Sequence, residues 1–232
     1  MNKLFLLLAF VGIGLMACKK KGCMNPLAVN YNAEAKKDDG SCNYSPTIAL
    51  VGPASVTLNV GDTYIDQGAT ATNKDGSAAA VTVDESQVNT AEVGTYTVTY
   101  SASNEHGTAT VTRTVNVVIG QDNWLGAPTC SNTCDVTQFP LAGDPTVSAG
   151  ATENEIIIDN MFTLVGGQIT ATIDGQTITV PQQTVNIGVG DIVLSGAGTM
   201  NSTGTQFQIN YDYDNQTLLI GTTGSCIGVY DY

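Results

Sequence analysis

Catalysis needs nucleophiles, proton carriers or metal ligands in register, and this chain of 232 residues offers few of them. Its one histidine, His106, stands in Asn104-Glu105-His106-Gly107, a turn-forming run between two β-rich segments, where a solvated loop residue is expected. A serine–histidine or cysteine–histidine pair would have to use it, and neither a strained nucleophile turn nor an oxyanion site accompanies it. Carboxylate pairs carry more weight, because two carboxylates suffice for a glycosidase. Asp212 and Asp214 alternate along one strand and share a face, and Glu153 and Glu155 do likewise. Solvated strand edges are the expected role of both pairs. Tyr211, Asp212, Tyr213 and Asp214 together form a candidate polar-aromatic patch for a sugar or calcium. Gly188, Gly190, Gly196 and Gly198 punctuate strands with no helix after them, so they read as turns or bulges, not as a phosphate cradle. No enzyme is expected.

The six cysteines are a second source of chemistry, and the first follows a segment with its own logic. Met1-Asn2-Lys3 is a short positive start, and Leu4 to Met16 is apolar apart from two glycines. Ala17 and Cys18 come next, then the basic run Lys19 to Lys21. Charge, apolar core and small residue, in that order, make a secretory signal, and the apolar part is too short to span a bilayer comfortably. Leu15-Met16-Ala17-Cys18 resembles the lipobox of bacterial lipoproteins. The resemblance implies removal of residues 1–17 and diacylation of the Cys18 thiol, usually with acylation of the new amino group. At about 0.8 kcal/mol per buried methylene, two or three chains hold a protein firmly where one does not. The expected place is the outer membrane, lipid-anchored, at the cell surface or on the periplasmic face.

Charge and composition agree with export. Six of the eight basic residues lie at or before Lys37; beyond it stand Lys74 and Arg113 against twenty acidic side chains, a formal charge of −18. Such a body repels polyanions, which argues against nucleic acid as a partner. Lys19, Lys20 and Lys21 would lie close to anionic headgroups. The rest is rich in Thr, Val, Gly, Asn and Ser with almost no helical periodicity, the composition of an all-β exported protein. An oxidising compartment favours disulfides over a zinc site at Cys130 and Cys134. With Cys18 acylated, five cysteines remain, so one is left free, intermolecular or otherwise modified.

Residues 18–45 read as a stem. Gly22-Cys23-Met24-Asn25-Pro26, Asn30-Tyr31-Asn32 and Asp38-Asp39-Gly40-Ser41-Cys42 closely resemble a cysteine-bounded module of exported proteins in Bacteroidetes-type bacteria, with Asn25 where Asp is usual. The resemblance implies a Cys23–Cys42 disulfide, worth about 3 kcal/mol in the chain-entropy model. So small a segment has too little core without one. Asp38 and Asp39, with Asn30, Asn32 and loop carbonyls, are a candidate calcium set, although the spacing is not that of an EF-hand and turn chemistry explains them too.

Residues 46–119 carry short β-rich runs between turns: 47–51, 55–60, 63–66, and a hairpin of 95–103 with 108–117. Pairing Ser103 with Thr108 puts Tyr96, Val98, Tyr100, Val111 and Val115 on one face and threonines on the other, as a half-buried sandwich needs. Arg113 falls on the apolar face opposite Val98, which predicts a twist or bulge there. Leu58-Asn59-Val60-Gly61-Asp62-Thr63-Tyr64, Gln67-Gly68-Ala69-Thr70-Ala71 and Val93 to Tyr100 resemble bacterial immunoglobulin-like domains of surface proteins and adhesins. That implies a seven-strand sandwich, normally without catalysis, here without the inter-sheet disulfide of antibody domains.

Residues 120–134 read as a linker with the only tryptophan, Trp124. From 135 to 232 a second β domain follows. Its hairpin joins 168–173 to 176–180 through Asp174-Gly175, pairing Ile169 with Val180 and Ala171 with Ile178. Further strands are expected at 155–158, 183–187, 192–196, 206–213, 217–221 and 227–230. This many sequential strands predict an antiparallel meander closing into a barrel or sandwich. The block Gly167 to Ile173 with Thr177 to Gln183 resembles a C-terminal domain of Bacteroidetes lipoproteins, some of which belong to glycan-capture systems. In that family a cysteine near the end commonly pairs with one near the start, which implies Cys226 with Cys134; Cys130 is the runner-up, and a Cys130–Cys134 bridge is also open. The expected whole is an all-β, lipid-anchored envelope protein that binds or displays, its partner a glycan or an envelope protein. The alternative is a spacer with no small-molecule ligand. No cofactor is expected unless the stem holds calcium.

Overall fold

A computed structural model describes residues 19–135, 143–161, 167–186, 190–216 and 222–232. The described residues group into two compact units: 19–49, 70–82 and 101–110 in one, and 50–69, 83–100, 111–135 and the later segments in the other. Cys18 and the 217–221 strand expectation lie outside the described residues.

The stem pairs β1 (Lys21–Gly22) with β2 (Lys37–Asp38) in parallel, and Cys23–Cys42 closes it. Among the described residues of the stem, Cys23, Ala28 and Ala35 are the buried apolar side chains, a core too small to hold without that covalent link.

Seven strands then form two sheets. One has the order β3 (Thr47–Leu50), β5 (Ala69–Thr72), β6 (Ala78–Ala79). The other has the order β4 (Ser55–Asn59), β9 (Gly107–Val118), β8 (Gly94–Asn104), β7 (Val81–Asp84), with β4 parallel to β9. The expected hairpin register holds: the hydroxyls of Ser103 and Thr108 lie 2.8 Å apart, and Thr95 reaches Asn116 at 3.2 Å with the same offset. Val98, Tyr100, Ala102, Val115 and Val117 are buried, while Tyr96 and Val111 are half-buried toward the ends of the same face. The constant offset on both sides of Arg113 leaves no room for an inserted residue, so of the expected twist or bulge the bulge is absent. The guanidinium stays on the core face and is buried there.

The C-terminal sheet has eight strands in the order β10 (Thr129–Cys134), β17 (Thr222–Asp231), β16 (Gln206–Asn215), β15 (Asp191–Met200), β14 (Thr177–Asn186), β13 (Ile169–Asp174), β12 (Glu155–Asp159), β11 (Thr146–Ala149). It curls until its edges meet. Gly126 and Val147 exchange backbone bonds of 2.9 and 2.7 Å, and the Cys130 amide reaches the Gly143 carbonyl at 2.7 Å. Closure satisfies edge groups that would otherwise recruit other chains.

Residues 129–134, read from sequence as linker, are thus a strand of this domain, and 121–124 form a 3-10 turn. The hairpin turn is Gly175-Gln176, one residue later than expected, because Asp174 pairs with Thr177. Gly175 supplies the positive φ of +53° that a Gly-first two-residue turn requires. The slip moves partners by two residues, so every side chain keeps its face. Pro181 sits where the β14–β15 register gains a residue between Val180 and Gln183; a bulge frees a residue that has no N–H to give, and so β14 runs on where two strands were expected. Gly196 and Gly198 lie within β15, not in turns. A Cβ on Gly198 would stand 1.8 Å from the Gln208 carbonyl oxygen of the neighbouring strand.

Alternation fills the interior: Ile156, Ile158, Ile169, Ile178, Ile192, Phe207, Ile209 and Tyr230 are all buried. Phe207 stacks on Tyr230 at 4.4 Å and meets Trp124 at 5.3 Å. Trp124 donates to the Gly175 carbonyl at 3.3 Å, so the 3-10 turn closes one barrel end.

Candidate functional site

The described residues of the barrel hold a cleft of about 480 Å³ lined by Asp135, Gln182, Val193, Leu194, Ser195, Asp212, Tyr213, Asp214, Thr223 and Gly224. Strand direction fixes where it lies. Asp214, Thr223 and Asp135 stand at the ends of β16, β17 and β10 opposite those that carry Phe207, Tyr230 and Thr129. The Phe207 end faces the immunoglobulin-like strands: the Val93 amide donates to the Ser202 carbonyl at 2.8 Å, and Asn123 donates to the Val60 carbonyl at 2.9 Å. The cleft is therefore at the far half of the barrel.

Its chemistry is polar and anionic. Asp135, Asp212 and Asp214 are exposed carboxylates, whereas Ser195, Thr223 and Gln182 bring hydroxyl and amide groups. The Tyr213 hydroxyl donates to Asp135 at 3.4 Å. Gly224 keeps the position open, since a Cβ there would lie 2.3 Å from that hydroxyl and 2.6 Å from Asp135. Such a surface accepts hydrogen bonds from hydroxyl-rich ligands and repels anions.

The sequence patch Tyr211-Asp212-Tyr213-Asp214 divides between the two faces of β16. Asp212 and Asp214 point outward, and Tyr211 and Tyr213 are buried. Tyr211 lies within the barrel with its hydroxyl 2.8 Å from that of Tyr230, and burial pushes its pKa well up, so it stays protonated. Tyr213 still borders the cleft through its hydroxyl, but neither ring shares the outward face of Asp212 and Asp214, because successive residues of a strand face opposite ways. Asp135, Gln182, Val193, Leu194, Ser195, Thr223 and Gly224 are the cleft residues that sequence reading missed. In the sequence Asp135 stands at a domain boundary, and its signal there is its neighbour Cys134.

In the stem, Asp38 Oδ1 accepts the Gly40 amide at 3.1 Å. Asp39 Oδ1 accepts both the hydroxyl and the amide of Ser41, at 2.5 and 3.1 Å, and these bonds hold its pKa low. Asn30 Oδ1 is occupied by the Asn43 amide at 2.8 Å, and Asn32 Oδ1 by the Glu34 amide at 3.0 Å. The calcium candidates Asp38 and Asp39 thus sit in turns that their own side chains stabilise. Among the described residues no three His, Cys, Asp or Glu side chains converge as a metal set would.

His106 lies 3.3 Å from Glu105 at the β8–β9 turn. It borders a second cleft, of about 600 Å³, with Cys42, Tyr44, Asn73, Lys74, Asp75, Asn104 and Glu105. Lys74 stands 5.1 Å from the centre of the Tyr44 ring there, and Asn104 donates to the Tyr44 carbonyl at 2.9 Å. These contacts brace the loop. Cys134 and Cys226 are bonded, leaving Cys130 unbridged, with burial pushing its thiol up to about 11.

Among the described residues no helix is long and apolar enough to cross a membrane. None of the curated proteins compared with this chain matches it. A lipoprotein of Bacteroides thetaiotaomicron, known from its crystal structure, aligns over 80% of this chain and 100% of its own, at 15% identity and a TM-score of 0.31. The stretch from β3 to β9 is matched by a family model, consistent with a place at the bacterial surface or envelope. Residues 48–117 match the family model of a bacterial surface protein Ig-like domain.

Proposed function

We propose that this is a lipid-anchored binding or display protein of the bacterial outer membrane, whose C-terminal barrel recognises a hydroxyl-rich ligand of the glycan class. The observation that carries this is the cleft of Asp135, Asp212 and Asp214 with Ser195, Gln182 and Thr223, set at the barrel end away from the immunoglobulin-like strands. Ionised carboxylates accept hydrogen bonds from sugar hydroxyls, and the amide and hydroxyls can donate or accept. The proposed role is recognition without catalysis. Cys18 is the proposed anchor, and Asp38 and Asp39 are assigned to stem stability ahead of calcium.

A glycan array followed by calorimetry on the whole mature protein tests the binding. Binding that weakens at least tenfold in Asp212→Asn/Asp214→Asn supports the assignment. Binding indifferent to both changes moves the site elsewhere. No binding to any glycan favours the spacer reading, which the side-chain-filled barrel interior also fits. For the anchor, Cys18→Ser should release the protein from membranes; a protein that stays bound refutes the tether.

A further inference from the structure

The stem combines two features that its fold alone brings together. Lysines from two separate runs meet: Lys21 pairs with Lys37 across β1 and β2, and the Lys36 amide donates to the Lys20 carbonyl at 2.8 Å. Glu34 engages Lys20 and the Asp39 carboxylate feels the charge of Lys21, leaving Lys36 and Lys37 without an ion pair among the described residues. Elsewhere in the same stem the disulfide-closed loop holds apolar side chains out to solvent. The Ala28 amide bonds the Asn25 carbonyl at 3.0 Å, and the Tyr31 amide bonds the Ala28 carbonyl at 3.2 Å, giving two successive turns. Leu27, at the apex after Pro26, is 84% exposed; Val29 is 57%, Tyr31 47% and Met24 45%. Val29 also lies near Gly107, where a Cβ would stand 3.9 Å from its Cγ2, whereas Leu27 is the most exposed of the four.

We infer that this surface seats the stem on an anionic lipid bilayer, with Leu27 and Val29 entering the headgroup region and the lysine cluster meeting the phosphates. The inference rests on the Cys18 anchor for its place in the cell. Cys23 is five Cα steps beyond Cys18, a reach of at most about 18 Å, so an anchored stem cannot leave the interface. Basic residues joined to exposed apolar ones are the composition of a surface-bound membrane contact, and tyrosine favours the same depth. The acidic remainder of the chain is repelled by the same lipid, which leaves the stem as the contacting part.

The test uses the unacylated chain from Lys19 to Tyr232, exported behind an unrelated leader so that both disulfides form. Its sedimentation with vesicles of equal parts phosphatidylglycerol and phosphatidylcholine is compared with that on phosphatidylcholine alone. The expected result is binding to the anionic vesicles at least about fivefold stronger, the factor for one lysine's worth of attraction. About 1 M salt, where screening acts within about 3 Å, should abolish the preference. Leu27→Ser/Val29→Ser and Lys36→Glu/Lys37→Glu should each lower binding at least about fivefold; these side chains are exposed, so the fold is kept. Equal partition into both vesicles, or variants that bind like the parent chain, would overturn the inference. No acyl group is present, so a failure here is separate from a failure of the Cys18 anchor.

Discussion

Arg113 Nη1 meets Asp66 Oδ1 at 2.6 Å, with the arginine side chain fully buried and the carboxylate 19% exposed. All five guanidinium donors have acceptors. Nη1 also reaches the Tyr100 hydroxyl at 2.8 Å, Nε reaches the Pro53 carbonyl at 3.0 Å, and Nη2 serves the Val51 and Gly68 carbonyls. Tyr100 and Tyr64 both donate to Asp66. This network links β9 to the segments that flank β3 and β5, the task a disulfide performs in antibody domains.

Arg113→Leu should therefore destabilise the immunoglobulin-like domain by about 3–5 kcal/mol, since it strands a largely buried carboxylate and three carbonyls. Asp66→Asn should cost less, because the amide oxygen still accepts. Urea denaturation of both variants checks the order; equal and small losses would show that the network contributes little.

Acid should weaken the same domain. Burial pushes the Asp66 pKa up, but the Tyr100 hydroxyl, the Gly68 amide, the Tyr64 hydroxyl and the Arg113 charge outweigh it and hold it below 3.8. A carboxylate depressed in the folded state stabilises fully above its unfolded value and loses that contribution as pH falls through its folded value. Melting temperature should thus be insensitive to Asp66 near neutrality and drop below about pH 4, with a shallower drop in Asp66→Asn.

The two disulfides should differ in worth. Cys134 and Cys226 stand directly opposite in the β10–β17 register and close 92 residues, against 19 for Cys23–Cys42. Chain entropy gives about 4.5 kcal/mol for the first and about 3 for the second. Cys134→Ala/Cys226→Ala should lower the barrel's melting point, whereas Cys23→Ala/Cys42→Ala should leave the barrel intact and expose the stem to protease.

Cys130 should resist alkylation. With its thiol pushed up to about 11, its thiolate population at neutral pH is about a hundredfold below that of a free cysteine, so iodoacetamide should label it quickly only after denaturation. Fast labelling of the native protein would contradict the burial of that thiol.

The sequence by itself determined the β architecture and the faces of its strands, because alternation and turn residues are local signals, and its resemblance to a cysteine-bounded module implied the closed stem. The side chains of Ser103 and Thr108 meet as their sequence offset requires, and even the misplaced Gly175 turn left Ile173 and Ile178 on the core face, since strand parity survives a two-residue slip. Only the tertiary structure decided that 129–134 closes the barrel, because an edge strand is defined by partners almost a hundred residues away. It likewise turned Arg113 from a supposed interruption into the centre of a network, gathered Lys36 and Lys37 beside Lys20 and Lys21, and parted Tyr211 from Asp212. Each of these depends on which backbone groups and charges lie near in space, and chain order does not encode that proximity.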